Sequence, residues 1–336
     1  MATIKDIARE LKLDSSTVSL ALRNDPKIAA ATRERIQRMA VHMRYVPNRA
    51  AQALRSGRSR TIAFVLWGNI PDEIRETFPD YTLAATTTAF EADYQLLLLQ
   101  ATRQRLADTP INCFPELRQA DGALLVGETL DRPGLMALLQ SGYPVVHLGE
   151  RDLDGMTLPF VSADYAQGGR LAAAHLLSGG HRRLAALVEP HPHAPEIPAR
   201  RLAGFAAVAG TQLLEQWEVE RHTPLDGVLT HMLARGITGV FTTEQQIALR
   251  LLTLCQAHGI VVPEALSVVS FDDMPAAAIS TPPLTCIRQP RDVAGRLGVE
   301  LLRDLIEGRQ PPVTQVLVPC ELVRRDSVSP PRMEQA

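Results

Sequence analysis

Apolar residues recur every three or four places over the first sixty positions, and beyond them they fall into short runs separated by amphipathic stretches. Ile4, Ile7, Ala8 and Leu11 share one face, which predicts a helix from Ile4 to about Leu11, capped by Thr3 with Asp6 three residues on in a capping-box arrangement. Lys12-Leu13-Asp14 reads as a tight turn. Asp14 or Ser15 then caps a second helix whose buried stripe is Val18, Ala21 and Leu22. A third helix, from about 31 to 43, turns Ile36, Met39, Ala40 and Met43 inward and Arg33, Arg35 and Arg38 outward. Together these close an all-α head over 1–46. A helix pair of this kind offers the start of its second helix to the major groove, here Ser15, Ser16 and Ser19 or Leu20 to base edges, with Thr17 and Ser19 suited to phosphates. Helical hairpins are also common in proteins that never touch nucleic acid, so the spacing alone leaves DNA as one reading of two.

From residue 60 onward the pattern changes. Strand-like runs at 61–67, 94–99, 122–126, 144–148, 184–188, 239–242 and 267–271 alternate with helical segments, the rhythm of parallel sheets covered on both faces by helices. At well over 250 residues, this α/β body divides more naturally into two lobes than into one sheet. Ligands in open α/β sheets sit beyond the carboxyl ends of strands, which places Trp67-Gly68, Glu189 and Phe271-Asp272 near a cleft.

Between head and body, Pro47 stops helix continuation and Asn48 is a good N-cap, so 49–55 can form a two-turn helix ending at Ser56-Gly57. Standing alone, so short a helix is frayed until a partner packs on it. Ala50, Ala51 and Ala53 allow close approach of a second copy. Arg49 and Arg55 reach phosphates, and Leu54 is an isolated apolar group suited to wedging between base pairs in a bent minor groove. A plain inter-domain linker with its leucine docked on the body is the alternative.

Charge sharpens this picture. The chain is nearly neutral, with 35 Lys+Arg against 37 Asp+Glu, but residues 1–60 hold 13 of the basic and 5 of the acidic residues, leaving 22 and 32 for the remainder. A basic head neutralises phosphates while an acidic body resists non-specific adhesion to DNA. No apolar run approaches the roughly 18 residues of a membrane span. The N-terminus enters an amphipathic helix with no secretory signal, so a cytoplasmic protein is expected. Cysteines at 113, 255, 286 and 320 form no Cys-x-x-Cys pair, and buried thiols are the expectation. His191-Pro192-His193 offers too few local ligands for a metal site. Gly168-Gly169 and Gly179-Gly180 fit neither a dinucleotide fingerprint nor a phosphate loop, so they are read as turns and close packing, and no cofactor is expected.

Head, hinge and body together resemble the LacI/GalR family of sugar-responsive repressors. The residues that carry the likeness are Tyr45-Val46-Pro47-Asn48-Arg49-Ala50-Ala51-Gln52-Ala53-Leu54, Asp164 in Val161–Gly169, His175-Leu176 with Gly180-His181-Arg182-Arg183, Arg201-Leu202-Ala203-Gly204-Phe205, Ser267–Asp273 and Thr281-Pro282-Pro283-Leu284-Thr285. The resemblance implies a periplasmic-binding-protein-like body, a homodimer on palindromic operator DNA, and a small effector, a sugar or sugar derivative, that controls the grip on DNA without an enzymatic step. It also implies chain crossovers near residues 162, 289 and 319. The domains expected are the head at 1–46, the hinge at 47–60, an N-terminal lobe of 61–162 with 290–318, a C-terminal lobe of 163–289 with 319–328, and a tail at 329–336. The DNA-contacting candidates are Thr3, Ser15, Ser16, Thr17, Ser19, Leu20, Tyr45, Asn48, Arg49, Ala51 and Leu54; the effector candidates are Trp67, Phe78, Arg201, Glu244, Phe271 and Asp272. Leu20 stands where many members carry a guanine-reading arginine, and Glu244-Gln245 stands where Asn-Asp is common. A solute-binding protein for transport and an α/β enzyme share the two-lobed body, but the basic head argues against the first, and the second lacks a nucleophile elbow, metal triad or cofactor loop.

Overall fold

The computed structural model describes residues 2–46, 57–67, 72–101, 117–127, 132–151, 155, 157–191 and 195–331. The chain divides into two compact units, Met1–Ser59 and Arg60–Ala336.

The first unit is built on α1 (Ile4–Leu11), α2 (Ser15–Leu22) and α3 (Ala30–His42). Its core is the stripe the periodicity marks, with Ile7, Val18, Ala21 and Ile36 fully buried and Met39, Met43 and Tyr45 packed against them. The turn into α2 is made by Lys12 in the left-handed region, φ 52°. Asp14 occupies the N-cap position of α2 without a side-chain hydrogen bond, so it caps by backbone geometry only. Beyond α2, Asn24 is also left-handed at φ 59°, and its Oδ1 accepts a 2.7 Å bond from Gln37 Nε2 that ties this turn to α3.

The second unit holds two six-stranded sheets. One contains β1 (Thr61–Trp67), β2 (Gln95–Ala101), β3 (Gly122–Gly127), β4 (Val145–Leu148), β5 (Phe160–Ala163) and β11 (Gln315–Val318), in the order β11-β5-β4-β3-β1-β2 and parallel throughout. The other contains β6 (Leu184–Val188), β7 (Leu213–Glu218), β8 (Gly239–Thr242), β9 (Ser267–Phe271), β10 (Thr285–Arg288) and β12 (Glu321–Val323), in the order β12-β10-β9-β8-β6-β7. Among the described strands only β12 runs antiparallel, against β10. The central strands are apolar on both faces because helices cover both, so they read as continuous runs and not as alternation. The edge strands β7, β11 and β12 alternate or carry charge, and they escaped the hydrophobic pattern for that reason.

Helices α4 (Asp72–Glu91), α5 (Arg132–Gln140) and α11 (Arg291–Ile306) belong with the first sheet; α6 (Tyr165–Ser178), α7 (Glu196–Ala209), α8 (Asp226–Ala234), α9 (Gln245–Ala257) and α10 (Pro275–Ile279) belong with the second. The chain passes from the first sheet to the second after β5, returns between β10 and α11, and passes again between β11 and β12. Helix α4 begins at Asp72 and carries Pro79 inside it.

Packing between α6 and α7 is unusually close, and glycine is the reason. A Cβ on Gly169 would lie 2.1 Å from the Arg201 carbonyl oxygen, and one on Gly204 would lie 1.9 Å from that of Ala166. These glycines seat α7 against α6 and so fix the height at which Arg201 enters the interior.

Candidate functional site

Two regions gather the candidate residues. On the head, Thr3 is consumed by its cap: its Oγ1 accepts from the Asp6 amide at 3.3 Å, while its own amide and hydroxyl donate to Asp6 Oδ2 at 2.9 and 2.7 Å. The Thr3 hydroxyl and backbone bonds hold the Asp6 carboxyl below its usual range. On α2, Val18 and Ala21 face the core while Ser15 and Ser16 are exposed and Thr17, Ser19 and Leu20 are half-buried. The outer face therefore offers small hydroxyls and one leucine, as the sequence reading requires of a helix that approaches a groove closely. Tyr45 is half-buried against the head core. Asn48, Arg49, Ala51 and Leu54 lie outside the described residues, as do the side chains of Trp67 and Phe78.

In the body, the carboxyl ends of β6, β8 and β9 converge. Asp272 follows β9 directly and takes φ 71°, a conformation an aspartate tolerates better than most residues. Its carboxylate is buried and accepts from three side chains: Gln289 Nε2 at 2.5 Å, Arg291 Nη2, and Arg201 Nη1 at 3.4 Å. Arg201 also donates to the Thr243 carbonyl at 2.6 Å and to the Glu244 carboxylate. Its Nε is buried with no hydrogen-bond partner among the described residues. Glu244 is the N-cap residue of α9 and also meets His191 Nε2 at 3.3 Å. The structure thus brings Arg201, Glu244 and Asp272 together.

Phe271 takes a different place from the one expected. Its ring is fully buried, 4.1 Å beneath the Arg201 guanidinium carbon, with the Tyr165 ring also under that carbon at 5.1 Å. A Cβ on Gly168 would strike the Phe271 ring at 2.6 Å, so the aromatic is wedged between helix and guanidinium. Phe271 supports Arg201 from below by cation–π contact and does not form an open ligand wall.

Burial opposes both charges, yet each is held ionised by the other. Burial lowers the Arg201 guanidinium, but Glu244 and Asp272 outweigh that and leave its pKa above the ordinary value. Burial likewise raises the Asp272 carboxyl, and Arg201 and Arg291 reverse this, leaving it below the ordinary carboxylate range. Tyr81, on α4, lies in the same field; burial pushes its phenol up, with Tyr165 adding to the rise and Arg291 opposing it.

Gln289, Arg291 and Tyr81 were missed in the sequence. Arg291 is the first residue of α11, a helix of the first sheet, whereas Asp272 follows a strand of the second. Their ion pair therefore spans the lobes. A second pair of contacts does the same: Arg151 and Glu150, which follow β4, meet Glu196 at 3.4 Å and Arg200 at 3.0 Å on the first turns of α7. The helix that carries Arg201 inward thus carries a reciprocal clamp on its neighbouring face.

The head matches the family model described as bacterial regulatory proteins, lacI family, over residues 3–48, and residues 173–328 match a periplasmic binding protein-like domain. The HTH-type transcriptional repressor CytR of Escherichia coli (strain K12) is 28% identical over 336 residues, covering 97% of this chain and 96% of the relative. The HTH-type transcriptional regulator CelR of Thermobifida fusca is 27% identical, covering 97% and 98%. Among solved structures, a transcriptional regulator CelR–cellobiose complex superposes with a TM-score of 0.68 at 26% identity, over 97% of this chain and all of that one. The lac repressor dimer bound to operator and the anti-inducer ONPF gives 0.75 at 22% identity, over 98% and 99%, a likeness of fold. By these likenesses the head belongs with the lacI family of bacterial regulatory proteins, and the whole chain is similar to transcriptional regulators.

Proposed function

We propose that the chain is a repressor that binds palindromic operator DNA as a homodimer and changes its grip when a small carbohydrate-like effector enters the space between the lobes. The observation that carries this reading is the buried Asp272 carboxylate held among Arg201, Arg291 and Gln289, residues drawn from both lobes. A carboxylate accepts from adjacent sugar hydroxyls, and a guanidinium donates in parallel pairs, so an entering polyol exchanges for these internal bonds one by one. Such an exchange alters the tie between lobes, which is the differential contact an effector needs in order to shift a conformational equilibrium.

The roles of the individual residues follow from this reading. Arg201, Asp272 and Glu244 contact effector, with Trp67 and Phe78 as candidate walls. Ser15, Ser16, Ser19 and Leu20 face bases, Thr17 and Arg49 serve phosphates, and Leu54 wedges the minor groove. Dimerisation is supported by exposed apolar side chains on the body, Leu83 and Phe90 on α4 and Ile279 on α10, at 71%, 81% and 84% exposure. Among the described residues no helix is long and apolar enough to cross a membrane, and a cytoplasmic site of action fits a DNA-binding role.

The test is selection of bound duplexes from a random pool, followed by a screen of sugars and nucleosides for release. A palindromic consensus whose complex responds to at least one compound is the expected result. Recovery of no consensus would refute the DNA reading, and a consensus indifferent to every compound would refute the effector reading.

A further inference from the structure

We propose that Arg23 is the principal base-reading side chain of the head, donating two hydrogen bonds to a guanine in the major groove. The proposal rests on the DNA-binding reading above and adds to it a residue that the spacing of the second helix did not single out.

From Ser15 to Leu22 the helix carries no charge. Each residue turns the helix by about 100°, so with Ser15 at zero, Ser19 lies at about 40°, Arg23 at about 80°, Ser16 at about 100° and Leu20 at about 140°. The two fully buried residues, Val18 and Ala21, lie at about 300° and 240°. Arg23, the C-cap residue one place beyond the helix, therefore lies close to the line opposite the middle of the buried side, at the C-terminal end of the outward face. A helix seated in the major groove presents this centre line to the base edges, chiefly from its N-terminal residues, so an arginine at the far end reads a base by reaching back along the line. A cation meant only for phosphate would sit on a flank.

Local contacts hold the side chain over this centre line. Arg23 Nη2 donates to Ser19 Oγ at 3.0 Å, folding the guanidinium back along the helix toward its N-terminal half. One donor is used there, and a guanidinium has five. Its neighbours on the face, Ser15, Ser16 and Ser19, are small, so the helix backbone can approach the bases while the long arginine spans to them. The backbone at this position is anchored from the next residue: Asn24 is left-handed and tied through its side chain to Gln37 on α3. The chemistry selects the base, because a guanidinium fork matches the O6 and N7 acceptors of guanine whereas a lysine ammonium offers one point of charge.

The full-length protein and its Arg23→Ala and Arg23→Lys variants would be titrated at fixed salt against the duplex selected by the wild type, against versions of it with each half-site G·C pair exchanged in turn, and against a random duplex. Arg23→Ala should lose about 5- to 150-fold on the selected duplex with little change on the random one. One G·C position in each half-site should cease to matter to the variant. Arg23→Lys keeps the charge and should show the same loss of discrimination. Equal weakening on all duplexes with a shallower dependence on salt would make Arg23 a phosphate contact and overturn the proposal, as would full recovery by lysine or an unchanged base preference. A wild type with no preference among duplexes would instead bring down the DNA reading on which the proposal stands.

Discussion

Replacing Asp272 with asparagine tests the bond network between the lobes. The change preserves shape and removes one charge from a carboxylate that is 7% exposed and accepts from Gln289, Arg291 and Arg201. Arg201 retains the Glu244 carboxylate and the Thr243 carbonyl. Arg291 does not fare so well: it is 4% exposed, and among the described residues Asp272 is its ion-pair partner. Stranding a buried cation in this way costs about 3–5 kcal/mol. Urea unfolding of Asp272→Asn at pH 7 should show a loss of that order. Arg291→Met removes the stranded charge, so the double variant should be more stable than the sum of the single losses implies, with a coupling energy of about 1–3 kcal/mol. Single-variant losses that add to within about 0.5 kcal/mol would refute the network. The pH dependence has a definite sign. The Asp272 pKa lies below its ordinary 3.8, so its contribution is complete above that value and disappears only as pH falls through the lower folded value. The difference between wild type and Asp272→Asn should thus be flat near neutrality and shrink below about pH 4.

Further perturbations test other parts of the account. His147 is buried, donates from Nδ1 to the Gly149 carbonyl at 2.7 Å, and has its pKa lowered to about 4, first by burial. Because it is neutral in the fold and protonates more readily when unfolded, stability should fall between pH 6.5 and 4 by about 3 kcal/mol from this group, and a His147→Phe variant should show a shallower acid slope in urea titrations. Gly204→Ala should push α7 off α6, lowering stability by about 1–3 kcal/mol and weakening effector binding measured by calorimetry; wild-type behaviour in both would contradict the claim that close packing sets Arg201. Leu54→Ala should weaken specific binding much more than non-specific binding in mobility shifts, with equal loss on both duplexes arguing against a wedge. Arg49→Ala should reduce the slope of log affinity against log salt, and an unchanged slope would remove it from the phosphate contacts.

The head was legible almost residue by residue, because its three helices bury one stripe each and Thr3 and Asp6 announce the first by their spacing. The central strands β1, β3, β4, β6, β8 and β9 were equally legible as apolar runs, whereas the interior strands β5 and β10, four residues each, were not singled out. The edge strands that escaped lack that signature: Leu213–Glu218 carries two glutamates, and Glu321–Val323 is three residues long. Missing β10 concealed that Gln289 and Arg291 follow a strand end, and with it the first lobe's share of the site. Arg201 and Asp272 were singled out through resemblance, since nothing in the local pattern of α7 distinguishes Arg201 from Arg200 beside it. Burial does so only after packing: Gly168, Gly169 and Gly204 admit the helix closely enough for one arginine to enter over Phe271 and Tyr165 while the other stays at the lobe boundary with Glu150. Phe271 was misassigned for the same reason, because a strand-end aromatic faces ligand or core according to what lies above it.

Reciprocity between the two ligands bears most directly on the whole account. Operator affinity would be measured with and without a saturating sugar found in the screen, and the affinity for that sugar measured with and without the operator duplex. The account predicts that both change by the same factor, about 5- to 150-fold for a coupling of ordinary strength. A sugar that occupies the body while leaving operator affinity unchanged would contradict it.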